Sequence, residues 1–154
     1  MTETQKNKIV VALQYMIPIL NKHNFKWDIS EGLARYIYGI EDNIKEIAID
    51  VDVDKDDEKF KSFMLDVNDH TTLPLKHWVD KVFNHYVMEV TVEDIILSIC
   101  PTKNMNIINK NSGKYELFYK DGIPTPNMVS FEGLEIPVLP RDRFTQMEES
   151  FKDN

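Results

Sequence analysis

The sequence predicts an α+β domain in which a small mixed β-sheet is flanked by helices, and it places residues 1–154 in a single domain. Two observations lead to this prediction. Helical and strand-like patterns alternate through the first half of the chain, whereas the second half is mostly strand-like. Hydrophobic residues make up 42% of the chain and aromatic residues 10%, so a buried core can form.

The first predicted elements follow from the spacing of apolar residues. Apolar positions at helical spacing predict a helix over residues 4–22, which Pro18 bends near its end. A short strand is predicted over residues 25–30. A short helix follows this strand and is expected to end near Gly39, before a polar connection to the next element.

The stretch EIAIDVDVDKDD, residues 46–57, begins as a strand and becomes strongly acidic. Apolar residues alternate with other residues over positions 45–53, which predicts a strand. Asp50 and Asp52 lie two apart in it and therefore share one face, roughly 6–7 Å apart along the strand. The acids after Asp52 are expected to be a solvated helix start, because acids suit a helix N-terminus.

Two amphipathic helices are predicted after this strand. Phe60 and Phe63 lie on one face of the first, which begins after residue 55. The second is predicted over residues 73–87, with Pro74 in its first turn and Thr72 as its N-cap. Its apolar stripe also predicts that Trp78 and Tyr86 lie in the core and do not form a base-stacking platform.

The remaining chain gives weaker patterns. Periodicity does not decide between strand and helix for residues 88–99. Residues 104–119 are predicted to form a hairpin with its turn at positions 111–113. An extended piece over residues 134–140 then precedes a short, polar terminal helix over residues 141–154.

The composition restricts the classes of function and the compartment. The net charge is 18 − 26 = −8, which argues against sequence-independent nucleic-acid binding as the main activity. Cys100 is the only cysteine, so no internal disulfide can form. This fits a protein of the reducing cytoplasm. The chain has no signal-peptide pattern and no apolar run near the roughly 20 residues that span a bilayer, so a soluble, cytoplasmic protein is expected.

Two carboxylates on one strand face repel each other unless a cation lies between them. Such a pair can bind one or two divalent ions, and metal centres ~3.5–4 Å apart suit the transfer of a phosphoryl or nucleotidyl group. Mg²⁺ prefers carboxylate and water oxygens and completes its shell with substrate phosphates. Asp50 and Asp52 are therefore candidate metal ligands, although an Asp-x-Asp pair is also common as a simple solvated strand end.

The surrounding motifs carry a family resemblance. WDISEGLARYIYG (residues 27–39), a polar gap and IDVDV (residues 49–53) resemble the nucleotidyltransferases of the DNA polymerase β superfamily. The likeness is greatest to the minimal members related to antibiotic nucleotidyltransferases. These have a strand, a Gly-Gly or Gly-Ser turn, a helix often ending in Tyr-Gly, and a strand with Asp-x-Asp. It covers residues 25–55 well and residues 105–145 loosely.

The resemblance implies a nucleotidyltransferase-like fold and a transfer reaction. Asp50, Asp52 and Glu116 would be the metal ligands and catalytic residues, with Glu116 as general base or ligand of a second metal. The cofactor would be Mg²⁺ or Mn²⁺, and a nucleoside triphosphate would give its nucleoside monophosphate to an unknown hydroxyl acceptor. The implied nucleotide-binding residues are Ser30, Glu31 and Gly32 in the turn, together with Arg35 and Lys45.

The chain departs from the family pattern at Glu31, which stands in place of the first glycine of the turn. A carboxylate there would crowd and repel phosphates. The alternative function is therefore a catalytically inactive acidic protein that keeps the fold and binds a basic partner. Glu116 is preferred for the third catalytic position because it follows a hairpin turn. Three further acids are alternatives for this position: Glu89, Glu93 and Asp94.

Overall fold

The computed structural model describes residues 1–152, which contain four α-helices, two short 3₁₀ helices and nine strands. The predicted terminal helix lies within this range as far as residue 151, and its last two predicted residues, 153 and 154, lie outside the described residues. The α-helices are α1 Glu3–Lys22, α2 Leu33–Ile37, α3 Glu58–Asp66 and α4 Arg141–Phe151. The strands are β1 Trp27–Glu31, β2 Glu46–Val51, β3 Thr71–Val79, β4 Phe83–Val92, β5 Ile95–Pro101, β6 Asn106–Asn109, β7 Lys114–Leu117, β8 Asn127–Phe131 and β9 Leu134–Val138.

All nine strands of the described chain belong to one mixed sheet. Its order is β7-β6-β4-β5-β2-β1-β9-β8, and β3 pairs with β4 outside this path. Two pairs are parallel, β2 with β5 and β1 with β9, and the other pairs are antiparallel. The predicted α+β class with a mixed sheet flanked by helices is confirmed, but a nine-stranded sheet is larger than the small sheet expected.

Helix α1 forms as predicted and packs against the sheet. Thr2 caps it by accepting a hydrogen bond from the backbone N–H of Gln5 at 3.1 Å. Its apolar stripe is fully buried on β4 and β5 and includes Leu13 and Met16. Pro18 lies inside the helix, which continues to residue 22. Burial of this stripe gives the helix the tertiary support that propensity alone does not supply.

Helix α3 confirms the helical period predicted for the residues that follow the acidic stretch. Asp57 is its N-cap and accepts a hydrogen bond from the backbone N–H of Lys59 at 2.8 Å. Phe60 and Phe63 are fully buried, and their stacked rings lie 5.7 Å apart. Helix α3 contacts α1, which packs on β4 and β5, and its two phenylalanines belong to the same hydrophobic core.

The helix predicted over residues 73–87 is wrong, because this segment is the β3–β4 hairpin. Asp80 closes the connection by accepting hydrogen bonds from the backbone N–H groups of Val82 and Phe83. The Thr72 hydroxyl lies 2.8 Å from the Thr91 hydroxyl across the two strands and caps no helix. Trp78 is 44% exposed, so its prediction as a core residue is also wrong.

The reason for this difference is tertiary pairing. Strand β4 pairs with β5 along residues 88–92, with β6 at residues 83 and 84, and with β3 along its other edge. These ladders satisfy backbone groups that an amphipathic helix would satisfy internally. Pro74 is tolerated because β3 pairs with β4 alone, and proline is found on such edge strands.

Residues 88–99, which periodicity left undecided, form the end of β4 and the start of β5. Glu93 and Asp94 connect the two strands with φ values of 51° and 67°. Two consecutive residues with positive φ are typical of a two-residue hairpin turn. The hairpin predicted for residues 104–119 is confirmed as β6 and β7, and the predicted extended piece is β9.

Strand β2 presents different chemistry on its two faces. Ile47, Ile49 and Val51 are fully buried in the core. Glu46 and Asp50 occupy alternate positions and line a cavity over the other face. Of the helices within residues 1–152, none has the length and apolar character needed to cross a membrane.

Candidate ligand-binding cavity over the β-sheet

A cavity of about 810 Å³ lies over the sheet face that carries the polar positions of β2. Its volume is in the range of small-molecule sites. Strands β2, β4 and β5 form its floor, and residues of α2, β3 and α4 contribute to its walls. Six residues predicted from the sequence line this one cavity: Ser30, Glu31, Gly32, Arg35, Lys45 and Asp50.

Gly32 holds β1 against β2 at one end of the cavity. Its φ is +62°, and a Cβ atom added to it would lie 2.0 Å from the backbone oxygen of Glu46. The pairing of β1 with β2 also shifts register between Ile29 and Glu31. The close approach of two strands therefore explains this glycine without any bound phosphate.

Glu31 does not carry the full negative charge expected of it. Burial, together with the nearby Glu148 carboxylate, raises its pKa to about 8, although Arg35 opposes this. At pH 7 the folded protein therefore holds mostly the neutral acid at this position. The repulsion of phosphates that the sequence predicted for Glu31 is correspondingly reduced.

The two basic residues of the cavity differ in how far they are engaged. Arg35 donates to both oxygens of Glu148, at 2.7 and 2.9 Å, and to Glu41 at 3.0 Å. The Lys45 side chain is exposed and has no hydrogen-bond or ion-pair partner within residues 1–152, while its backbone oxygen accepts from the N–H of Ile96. Lys45 is therefore the cation in this cavity that is most available to an anionic group.

Asp50 lies at the floor of the cavity and is 1% exposed. The Tyr119 hydroxyl donates a hydrogen bond to its Oδ2 atom at 2.5 Å. Burial raises the pKa of Asp50 to about 6, and hydrogen bonds from Tyr119 and Ser30 partly oppose this shift. Asp50 is thus a hydrogen-bonded, partly protonated carboxyl group near neutral pH.

Asp28, which the sequence analysis did not single out, lies beside Asp50. The two residues are directly paired across β1 and β2. Asp28 is fully buried, and neither of its carboxyl oxygens has a hydrogen-bond partner. Burial, and then the Asp50 charge, raise its pKa well above the ordinary value. In the sequence, one signal was available. Asp28 stands between the apolar Trp27 and Ile29, so it points to the opposite side of β1 from them, which is the side that Asp50 occupies on β2.

Asp52 does not share the cavity with Asp50. A Cβ atom added at Gly122 would lie 3.3 Å from Asp52 Oδ2, so this carboxyl group packs against the Gly122 backbone. Its Oδ1 atom is buried without a hydrogen-bond partner. The segment 119–122 contacts both aspartates, because Tyr119 bonds to Asp50 and Gly122 packs on Asp52, but only Asp50 lines the cavity.

Glu116 is also placed apart from Asp50. It lies on β7, accepts a hydrogen bond from the Asn109 side chain at 3.2 Å and has Lys120 at 3.9 Å. Its side chain lines a second cavity, described below. The structure therefore brings Asp50 into one cavity with the turn residues, whereas Asp52 and Glu116 do not line that cavity.

One of the three competing acids does face the cavity over the sheet. Glu89 of β4 lines it and is paired with Ser98 of β5. The Ser98 hydroxyl donates to Glu46 of β2 at 2.7 Å, so Ser98 lies between these two acids. Glu93 and Asp94 form the β4–β5 turn and do not line the cavity.

The residues present do not fit the predicted metal centre. Within residues 1–152, no three His, Cys, Asp or Glu side chains are grouped so that they could hold a metal ion. Asp50 accepts a hydrogen bond from Tyr119, Asp52 does not line the cavity, and Glu116 lines the second cavity. The roles predicted for Asp50, Asp52 and Glu116, and the use of Mg²⁺ or Mn²⁺, stay predictions.

Cys100 and His85 form a further contact at the cavity floor, with Sγ and Nδ1 3.9 Å apart. Burial raises the pKa of the Cys100 thiol well above its usual value, and Asp50 and Glu46 add to the shift. Burial lowers the pKa of His85. A neutral thiol beside a neutral imidazole supports the predicted packing role of Cys100 over a nucleophilic one.

Comparison with known proteins supports the fold. A crystal structure of a putative nucleotidyltransferase from Thermotoga maritima is similar to this chain, with a TM-score of 0.71 and 15% sequence identity. The similarity covers 93% of this chain and 84% of the other. No protein family model matches the chain, and no curated protein matches it. The chain therefore has a nucleotidyltransferase-like fold.

Proposed function

We propose that the cavity over the β-sheet binds the Mg²⁺ complex of a nucleoside triphosphate, and that the protein retains this binding without two-metal nucleotidyl transfer. One observation carries the proposal. In a nucleotidyltransferase-like fold, the six residues named above from the sequence line a single cavity of about 810 Å³. This volume suits a ligand of nucleotide size.

The charges of the cavity favour a metal–nucleotide complex over a bare nucleotide. Lys45 provides an unpaired cation for the phosphates, and Glu31 is largely neutral at pH 7. Glu46 and Glu89 would repel a free triphosphate, but they attract the cation that the substrate brings with it. Binding should therefore require a divalent cation.

The apolar part of the cavity suits the base and sugar of the ligand. Trp78 and Phe83 line it from β3 and β4. Aromatic side chains offer a face on which a base can stack, a contact worth about 1–3 kcal/mol in single-stranded nucleic-acid complexes. Phosphates near Lys45 and a base near Trp78 would use the polar and apolar ends of the same cavity.

Transfer chemistry has less support than binding. Two-metal catalysis needs several carboxylates around ions ~3.5–4 Å apart. In this chain Asp50 is hydrogen-bonded to Tyr119, and Asp52 and Glu116 do not line the cavity. The residues that remain at the cavity can bind and orient a ligand, but they do not form the arrangement that would activate an acceptor hydroxyl.

Thermal shift measurements test the binding. Wild-type protein is heated with ATP, GTP, CTP or UTP in the presence of Mg²⁺, Mn²⁺ or a chelator. We expect stabilisation by at least one nucleotide with a divalent cation, and none with the chelator. Lys45→Gln should reduce the shift, whereas the matched variant Lys103→Gln, which removes the same charge outside the cavity, should not.

An absence of stabilisation by every nucleotide would overturn the proposal and favour a protein that binds a basic partner. A second assay addresses transfer, using α-phosphate-labelled nucleotide, Mn²⁺ and candidate acceptors with hydroxyl groups. We expect no labelled product above a blank. Labelling that is lost in the Asp50→Ala/Asp52→Ala double variant would instead identify an active nucleotidyltransferase.

A further inference from the structure

A second cavity of about 480 Å³ lies outside the site described above. Residues of the β6–β7 hairpin form one side, residues 117–124 another, and α4 the third. No predicted nucleotide-binding residue lines it. Its charged lining residues are Glu116, Lys120, Asp121 and Arg143, two acids and two bases.

Arg143 of α4 has an unusual environment for a half-buried arginine. Its guanidinium carbon lies 4.6 Å from the centre of the Phe118 ring, and its Nη2 atom donates to the Phe118 backbone oxygen at 2.7 Å. Its Nε atom is buried without a hydrogen-bond partner. In the described chain it has no acidic partner, whereas Arg35 has two. Its buried Nε–H is an unsatisfied donor, which is costly, and its positive charge has no anion beside it in the described chain.

Asp121 supplies the opposite charge in the same cavity. It is exposed and has no hydrogen-bond or ion-pair partner within residues 1–152. The other two charged residues, Glu116 and Lys120, lie 3.9 Å apart and form an exposed ion pair. The cavity therefore contains one unpaired cation and one unpaired anion, which are separated by more than ion-pair distance.

We propose that this second cavity binds a small zwitterion, with the anionic group of the ligand on Arg143 and its cationic group on Asp121. A carboxylate would accept hydrogen bonds from the guanidinium, and an ammonium group would donate to the Asp121 carboxylate. A ligand with a single charge would leave one of the two residues unpaired. This inference is independent of nucleotide binding, because it uses other residues and another cavity.

The test uses three probes of equal carbon length on the whole chain. These are 4-aminobutanoate, which carries both charges, butanoate, which carries only the carboxylate, and butylammonium, which carries only the amine. Dissociation constants are measured by NMR titration. We expect 4-aminobutanoate to bind at least about tenfold more tightly than either single-charge probe, since two charge-assisted hydrogen-bonded contacts replace one.

Variants locate the binding. Asp121→Asn should remove the advantage of 4-aminobutanoate over butanoate, and Arg143→Gln should remove its advantage over butylammonium. Asp121 makes no hydrogen bond or ion pair within residues 1–152, so its variant keeps the test valid if Arg143→Gln fails to fold. Arg141→Gln is the control, because Arg141 packs over Tyr38 and does not line the cavity. Equal affinity for the three probes, or an unchanged preference in Asp121→Asn, would overturn the proposal.

Discussion

The two faces of strand β2 differ in chemistry, although the same six residues form both: one face is apolar and buried in the core, and the other carries acidic side chains. Ile47 and Ile49 face the helices and lie in a core from which water is excluded. Asp50 faces the opposite side, where it meets a second buried carboxyl group, Asp28. The first face stabilises the fold through apolar burial, whereas the second places acidic groups in an environment that disfavours their charge. The difference is the physical reason for proposing the ligand site on the cavity face.

The largest expected effect comes from truncating a large side chain on the core face of β2. Ile49→Ala should lower the free energy of unfolding by about 2–5 kcal/mol, because it leaves a void in a packed core. Glu46→Ala, on the other face of the same strand, should cost about 1 kcal/mol through its lost bond with Ser98. Urea denaturation of both variants measures the contrast. Equal losses would show that the two faces contribute alike.

Substitution of two glycines tests how closely the end of β1 approaches the backbone of β2 beside the cavity. Gly32→Ala should cost about 2 kcal/mol or more, because the new Cβ atom meets the Glu46 backbone oxygen and the residue has positive φ. Gly39→Ala shares the positive φ but has open space around it, so its cost should be about 1 kcal/mol. Denaturation curves compare the two variants, and a smaller loss for Gly32→Ala than for Gly39→Ala would contradict the proposed strand contact.

The raised pKa of Asp50 predicts a pH dependence of opposite sign to that of an ion-paired surface carboxylate such as Asp66, whose pKa is lowered. The folded protein keeps the proton of Asp50 up to a pKa of about 6, whereas the unfolded chain loses it near 3.8. The folded state therefore binds more protons between these values, and the contribution of Asp50 to stability falls as pH rises from about 4 to about 6. Asp50→Asn should gain stability relative to wild type across this window, measured by urea denaturation at each pH. A constant difference would contradict the shift.

The smallest expected effect concerns the bond that covers Asp50. Tyr119→Phe removes the hydroxyl that donates to Asp50 and should lower stability by about 1 kcal/mol. That bond lowers the pKa of Asp50, so the variant should raise it further. An NMR titration of the Asp50 carboxyl carbon measures the change. An unchanged or lower pKa in the variant would show that Tyr119 does not control this group.

The elements predicted correctly from the sequence are those whose period has a single interpretation. Helix α1 has a long apolar stripe, and β2 places Ile47, Ile49 and Val51 at alternate positions. Residues 73–87 instead contain Trp78, Val79, Val82 and Phe83, which suit both a helical stripe and two strands joined by a turn. Only the pairing of β4 with three other strands decides between these structures. The spacing of apolar residues within one segment does not predict which distant segments will pair.

The site was predictable to the extent that it depends on short motifs. The turn around Gly32 and the acid at Asp50 come from neighbouring elements and lie in one cavity. Glu116 was selected because it follows a hairpin, but its place in space depends on β6 and β7 pairing beside β4. Asp28 is set against Asp50 by the register of two antiparallel strands. A one-residue change in that register would move it to the other face.

The most direct test of nucleotide binding on the polar face is an amide NMR titration with ATP and excess Mg²⁺. We predict saturable shifts at Lys45, Ser98 and Cys100, which line the cavity. Amides on the other side of the sheet, such as Leu13 in α1, should stay unchanged. An absence of saturable shifts, or shifts centred on Arg143 and the second cavity, would contradict binding at this site.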